Sequence, residues 1–423
     1  METMPEIFVN MSSLNELSLS LPMLASLPKS IRGLHGLTKM TLAEAKTMKR
    51  LPEDFGELIA LRELRIDDAD ELESLPDSFS FPKSLQKLEL KSSKLERLPD
   101  NIGNAFSLER LVMKVPSLES LGNSVGGLQS LREMVLENAK TLKGLPDDLG
   151  RLSALRELRI ADADELQSLS DSFCFPKSLQ KLELKSSKLE RLPDNIGNAF
   201  SLERLVMNVP SLESVEHSVG GLQSLRELVL QNAKKLKGLP DDFNRLSALR
   251  ELRIDDADEL QSLSDSFCFP KSLQKLELKS SKLERLPDNI GNAFSLERLV
   301  MNVPSLESVG QSVGGLQSLR EMVLENAKKL KGLPEDFGRL SALRELRIAD
   351  ADELQSLPVS FAFPKSLQKL ELKSSKLERL PDSVGNAFSL ETLVMKVPRL
   401  QSLGNSIGGL QSLTEMVLQN AKD

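Results

Sequence analysis

Carboxylates crowd together in a way that first suggests a cation site. Asp67, Asp68, Asp70 and Glu71 fall within five residues, and the cluster returns as Asp162, Asp164 and Glu165 and twice more. A calcium loop also needs a glycine at its turn and a distal glutamate to close the oxygen shell. Neither is present, and Lys91 and Lys94 follow 24 residues after Asp67 and Asp70. Ion pairing of Asp67 with Lys91 and of Asp70 with Lys94 is therefore expected, and no metal. Histidine is confined to His35 and His217, and the residues equivalent to His217 are Asn123, Gln311 and Asn405. A general base does not alternate with amides. Gly126-Gly127 lacks the lysine and serine of a phosphate loop, and no nucleophile elbow, zinc spacing or nucleotide fingerprint occurs. The chain reads as a non-enzyme that needs no cofactor.

The two cysteines, Cys174 and Cys268, hold the same place 94 residues apart, where Ser80 and Ala362 stand elsewhere. A small residue is wanted there rather than sulfur. Four turns of parallel strand at about 4.8 Å each put the two roughly 19 Å apart, well beyond the ~7 Å limit for a disulfide. They read as reduced core thiols, which suits the cytoplasm.

Those residues are placed by a repeat. The motif LRELRI begins at Leu61, Leu155, Leu249 and Leu343, so a block of 94 residues recurs, divided into leucine-rich units of 24, 23, 23 and 24 residues. Units begin at 14, 37, 61, 85, 108, 131 and onward to 390, with a stub at 413. Counting from Leu61 as the first of four kinds, the pattern is LxxLxLxx followed by a small residue, a leucine and usually LP. Alternation across LxxLxL marks a strand with one buried face, so positions 1, 4 and 6 point inward and 3, 5 and 7 outward. Proline then turns the chain. Apart from Phe8, every phenylalanine falls on the return that follows, and together they read as a packing spine. A single core does not grow to 423 residues, whereas a solenoid buries each turn against its neighbours. The expected fold is an α/β solenoid, a horseshoe with one parallel concave sheet and short helical or extended convex returns. Residues 1–13 would form a minimal N-terminal cap, with Ile7 and Phe8 over the first turn. Residues 14–423 would hold seventeen full repeats and one truncated repeat.

The 23- and 24-residue spacing resembles that of cytosolic leucine-rich-repeat proteins. LPDNIGNAFSLERL and LPDDLGRLSALRELRI are similar to the LPxxIGxLxxLxxL repeats of plant intracellular proteins, of plant immune receptors, and of type III effectors from plant-pathogenic bacteria. Position 9, commonly Asn or Cys in that superfamily, is Ala69, Ser93, Pro116 and Ala139 here, so the asparagine ladder is missing. Ser93 and its equivalents are expected to supply part of it.

Net charge is -7, and Trp and Tyr are absent. Neither fits a nucleic-acid partner, which calls for a basic surface and stacking side chains. No apolar run is long enough to span a membrane. Stacking in register would run position 3 as Glu63, Lys87, Arg110, Glu133, and then Glu157, Lys181, Arg204, Glu227, a self-neutralising charged sheet. Arg298 and Glu321 continue it. Position 5 departs from this, because Val112 and Val135 are neighbours, as are Val206 and Val229, Val300 and Val323, and Val394 and Val417. Val115, Val209, Val303 and Val397 would extend this apolar ground. Exposed apolar patches rimmed by charge mark contact sites, while β-branched valine also suits any strand; both readings stand. The resemblance implies a non-catalytic scaffold binding a protein partner on the concave face, in the cytoplasm, as a bacterial effector inside a plant host cell. The alternatives are the substrate-recognition region of a larger enzyme such as a ubiquitin ligase, or the sensor region of a plant immune receptor. Leu413–Leu418 completes a strand just before the last residue, Asp423. An open edge of that kind invites self-association.

Overall fold

The computed structural model describes residues 4–419, apart from 76–77, 171, 216, 359 and 402–406. The chain forms two compact units, residues 1–209 and 210–423. In the first, strands β1 (Glu16–Ser20), β2 (Lys39–Ala43), β3 (Glu63–Ile66), β4 (Lys87–Lys91), β5 (Arg110–Lys114), β6 (Glu133–Glu137), β7 (Glu157–Ile160), β8 (Lys181–Lys185) and β9 (Arg204–Asn208) each pair in parallel with the next. The second does the same with β10 (Glu227–Gln231), β11 (Glu251–Ile254), β12 (Lys275–Lys279), β13 (Arg298–Asn302), β14 (Glu321–Glu325), β15 (Glu345–Ile348), β16 (Lys369–Lys373), β17 (Thr392–Lys396) and β18 (Glu415–Gln419). Each unit is a leucine-rich-repeat solenoid with an open parallel sheet. The inward leucines between the first and last strands are closed off from solvent, Leu85, Leu88 and Leu90 among them, while on β18 Met416 and Leu418 are exposed.

Units of 23 and 24 residues stack in one register because the extra residue is looped out. Glu44, Asp68, Asn138, Asp162, Asn232, Asp256, Asn326 and Asp350 all have φ between 51 and 57°, in the left-handed region. Each sits at position 8 of a 24-residue unit, where Asn and Asp are the side chains that tolerate this conformation best. The alanine that follows then faces the core: Ala69, Ala139 and Ala233 are fully buried. Its N–H rejoins the ladder, as Ala69 donates to Lys91 O at 3.0 Å and Ala233 to Asp255 O at 3.0 Å. In 23-residue units position 8 fills that inward slot directly. Val115, Val209, Val303 and Val397 are accordingly core residues, at most 1% exposed, and do not extend an outward patch.

Ser92, Ser186, Ser280 and Ser374 occupy the same slot, the only buried polar residues in the described core. The Ser280 hydroxyl lies 2.8 Å from Ala257 O and 3.0 Å from Leu260 O, and accepts from the Leu283 N–H at 3.1 Å. This is the role expected of Ser93, which is instead exposed and reaches Asp70 O at 3.3 Å.

The returns begin after proline and run through short 3-10 turns such as Asp288–Asn292, with Pro287 at the N-cap. They stack so closely that a Cβ on Gly291 would stand 2.0 Å from Ser312 O. Part of the phenylalanine spine is real: Phe55, Phe79, Phe173, Phe243, Phe267, Phe337 and Phe361 are buried, and Phe243 meets Phe267 at 5.8 Å. Phe106, Phe200, Phe294 and Phe388 do not join it. They stand 47 to 52% exposed, because the preceding alanine takes the inward position. Cys174 is exposed and Cys268 partly so, which corrects their reading as core thiols. At three of the four places a glycine of the preceding turn packs on the slot: a Cβ on Gly150 would lie 3.2 Å from the Cys174 Cβ, one on Gly56 2.8 Å from the Ser80 Cβ and one on Gly338 2.8 Å from the Ala362 Cβ, while Asn244 stands before Cys268. At the N-terminus Phe8 is buried while Ile7 is 45% exposed, so Phe8 alone covers the first turn; the Glu6 carboxylate accepts from the Lys29 and Ser30 N–H groups.

Two substitutions test this geometry. Asn232→Val forces a β-branched residue into the left-handed region and should cost about 1–2 kcal/mol, whereas Asn232→Gly should be neutral or stabilising; denaturant unfolding of both variants decides it. Ser280→Ala strands the Leu260 carbonyl and the Leu283 N–H, while Ala257 O keeps the Leu260 N–H, at about 1–3 kcal/mol. Amide exchange at Leu283 should accelerate in that variant while exchange in distant turns stays unchanged.

Candidate functional site

Positions 3, 5 and 7 of successive strands form three rows on the outward face of the sheet. Glu63 and Lys87 pair at 2.8 Å, Arg110 and Glu133 at 3.1 Å, Arg298 and Glu321 at 3.4 Å, and Lys369 and Glu345 at 2.7 Å. The hydrogen bond between them holds Glu63 below the usual carboxylate pKa and Lys87 above that of a free lysine. From β4 to β15 only alternate steps attract. Lys87 stands in register with Arg110, and Glu133 with Glu157. The row follows the order expected from the sequence, with its charges in doublets there, whereas Glu16, Lys39, Glu63 and Lys87 alternate at every strand.

The acidic clusters are engaged by the next turn, one residue away from the expected partners. Lys91 bonds Asp68 and Lys94 bonds Glu71 at 3.0 Å, while Asp67 turns back to Arg65 Nε at 2.6 Å. Lys279 repeats this with Asp256 at 2.6 Å, and that hydrogen bond raises its pKa. Among the described residues no group of three His, Cys, Asp or Glu side chains is placed to hold a metal ion. Asn405 and the side chain of His217 lie outside the described residues.

Along position 5 the valines lie in register as expected within each unit: Val112 with Val135, Val300 with Val323, and Val394 with Val417. Val206 is on β9 and Val229 on β10. They are less open than the sequence suggested. Val135, Val229 and Val323 are only 6 to 7% exposed, and Val112, Val206 and Val300 are half-buried. Val135 has Val112 on one side and Arg159 on the other, and a long arginine stem covers apolar surface beside it. What reaches solvent is a low apolar ridge between charged walls.

A further distinction along this row was legible only as a change from Asp to Ala. Arg65 and Arg253 donate Nε to Asp67 at 2.6 Å and Asp255 at 2.7 Å on their own strands. Alanine replaces that aspartate at 161 and 349. Arg159 then comes no nearer than 3.6 Å to Glu183, and Arg347 reaches Glu371 at 3.6 Å and Glu325 at 3.7 Å. The Nε of Arg347 is buried without a hydrogen-bond partner. No helix among the described residues is long and apolar enough to cross a membrane.

No family model matches the chain. The disease resistance protein RPS4B of Arabidopsis thaliana is 30% identical over 163 residues, which is 38% of this chain and 13% of that protein. The leucine-rich-repeat protein LIC12759 of Leptospira interrogans is 22% identical with a TM-score of 0.52, covering 98% of both chains. Toll, in its complex with Spatzle from Drosophila, is 16% identical with a TM-score of 0.52, covering 96% of this chain and 61% of that one. At these identities the solved structures are alike in fold alone. With parallel strands stepping by 23 and 24 residues, inward leucines and proline-led returns, this chain has the leucine-rich-repeat solenoid fold.

Proposed function

We propose that the chain is a non-catalytic scaffold that binds a protein partner on the outward face of its sheet. The leucine-rich-repeat fold is typical of protein-interaction scaffolds, and the observation that supports this face is the recurring ridge of paired valines between charge doublets. The proposed contact residues are Val112, Val135, Val206, Val229, Val300 and Val323, with Arg110, Arg204, Arg298, Glu133, Glu227 and Glu321 as the rim. The half-buried valines offer the open apolar surface. The arginines add planar donors suited to carboxylates.

The setting we infer is the cytoplasm of a plant cell, as the repeat region of a bacterial effector. The LPDNIGNAFSLERL repeats support it by their resemblance to such effectors. The sensor region of a plant immune receptor is the second reading, favoured by the likeness to the Arabidopsis resistance protein. A nucleotide-binding module encoded beside these repeats would support the receptor, a ubiquitin-ligase domain would make them a substrate-recognition region, and a secretion-competent disordered leader would support the effector.

The face itself is tested by capture from plant-cell extract. The double variant Val112→Arg, Val300→Arg should lose the proteins held by the wild type, and Phe294→Ser on the opposite side should keep them. Capture that survives the valine changes in a folded protein, or that is lost only with Phe294, would sink the assignment.

A further inference from the structure

The outward face is complementary to itself. Across the four strands β4, β5, β6 and β7, position 3 reads Lys87, Arg110, Glu133, Glu157; position 5 reads Glu89, Val112, Val135, Arg159; and position 7 reads Lys91, Lys114, Glu137, Ala161. Reversing the strand order changes the sign of the charge at almost every place. Lysine and arginine exchange with glutamate in the first row, Glu89 exchanges with Arg159, and the two valines exchange with each other. Only Ala161, opposite Lys91, is neutral. The second unit repeats the first two rows on β12 to β15, with Lys275, Arg298, Glu321, Glu345 in one and Glu277, Val300, Val323, Arg347 in the next, while its third row, Lys279, Asn302, Glu325 and Ala349, exchanges no opposite charges.

A pattern that changes sign on reversal is the condition for an isologous contact, in which one patch meets its own copy about a two-fold axis. We propose that this face docks a second copy of the same chain. The axis runs parallel to the strands, between β5 and β6 in one unit or between β13 and β14 in the other. It sets Arg110 against Glu133 of the partner, Lys87 against Glu157, Glu89 against Arg159, and Val112 against Val135. This names the partner for the face proposed above and rests on that reading.

The arginines favour it independently. At both centres the arginine facing the partner's glutamate is the one that lacks the aspartate on its own strand. Arg159 and Arg347 make no hydrogen bond closer than the long ion pairs already described, and their side chains stand 48% and 38% exposed, so the outer ends of the guanidinium groups can meet a carboxylate from outside. The valines already lie low, so the contact depends on charge more than on apolar burial. Its strength should therefore follow ionic strength.

Analytical ultracentrifugation of the chain across concentration is the test. Raising the ionic strength from about 0.01 M to about 1 M cuts the screening length from about 30 Å to about 3 Å, and should weaken dimerisation at least about tenfold. One variant carries Arg110→Glu, Arg204→Glu and Arg298→Glu, and the other Glu133→Arg, Glu227→Arg and Glu321→Arg. Each sets like charges against like in its own dimer and should be monomeric. An equimolar mixture restores every opposed pair and should dimerise, which also shows that both variants are folded. A wild type that stays monomeric at every concentration and salt overturns the proposal, as does a dimer indifferent to both charge sets, or a mixture that remains monomeric. Capture of another protein, lost with Val112→Arg and Val300→Arg, would in those cases leave the binding face standing and remove only its assignment to a second copy.

Discussion

Each inward side chain must meet its equivalent on the next turn, because the parallel ladder ties every strand to its neighbour and leaves no room to slip. A shift of one residue would turn the leucines outward on a whole strand. Yet the units differ in length by one, and in every block of 24, 23, 23 and 24 residues a longer unit meets a shorter one twice. The conflict is resolved at a single point per unit, where Asn138, Asp162 or Asn232 swings into the left-handed region and is passed over by the ladder. Register before that residue follows one spacing and register after it follows the other. Ile66 pairs with Leu90 at a step of 24, whereas the Ser92 hydroxyl meets Ala69 O at a step of 23.

That one device explains most of the difference between what the residues suggested and where they stand. The strands, their inward leucines, their order and the valine register were legible from the leucine spacing, because periodicity reports which face is buried. The unequal lengths were equally visible, but spacing alone does not say where an extra residue leaves the ladder. Applying a step of 24 past that point paired Asp70 with Lys94, where the lysine finds Glu71, while Asp67, still at the step of 24 from Lys91, is taken by Arg65 and leaves Lys91 to the looped-out Asp68. It also placed the hydroxyl ladder at Ser93 instead of Ser92, and left Val115 on the outside. The signal was present in the sequence, since an Asn or Asp followed by a buried alanine comes directly after the strand only in the longer units, and in the shorter ones such a pair, Asn104 and Ala105 for example, falls on the return. The exposed phenylalanines were missed for a different reason. A return of AFS gives two adjacent apolar residues, and only packing decides that Ala105 goes in and Phe106 out.

Stability and display are separated by the same geometry. Leucine, alanine and the four buried serines face one way and repeat with little change, so each turn can be stabilised by its neighbours whatever the other face carries. The outward positions are then free to follow a longer period of four strands. Like charges side by side, as at Lys87 with Arg110 and Glu133 with Glu157, are unfavourable across neighbouring strands. Exposed ion pairs contribute little in return. A surface shaped by stability alone would alternate sign at every strand, as position 3 does from Glu16 to Lys87, and from β4 to β15 it alternates at every second strand.

The alternation of Asp and Ala after the first-kind strand argues in the same direction. Where Asp67 or Asp255 is present, the arginine on that strand is held by its own chain, short and well aligned. Where alanine stands at 161 and 349, the guanidinium keeps only contacts of 3.6 Å or more. Loss of a well-formed charge-assisted hydrogen bond makes the strand no more stable by itself. It does leave a rigid donor fork beside a valine pair in each unit, with a buried Nε on Arg347 that nothing in its own chain satisfies. The arginine beside the second valine of each pair is therefore tethered at Arg253 and untethered at Arg159 and Arg347, and the neighbouring row changes too, from Lys114 and Glu137 to Asn302 and Glu325, so the display varies from block to block over an unchanged core.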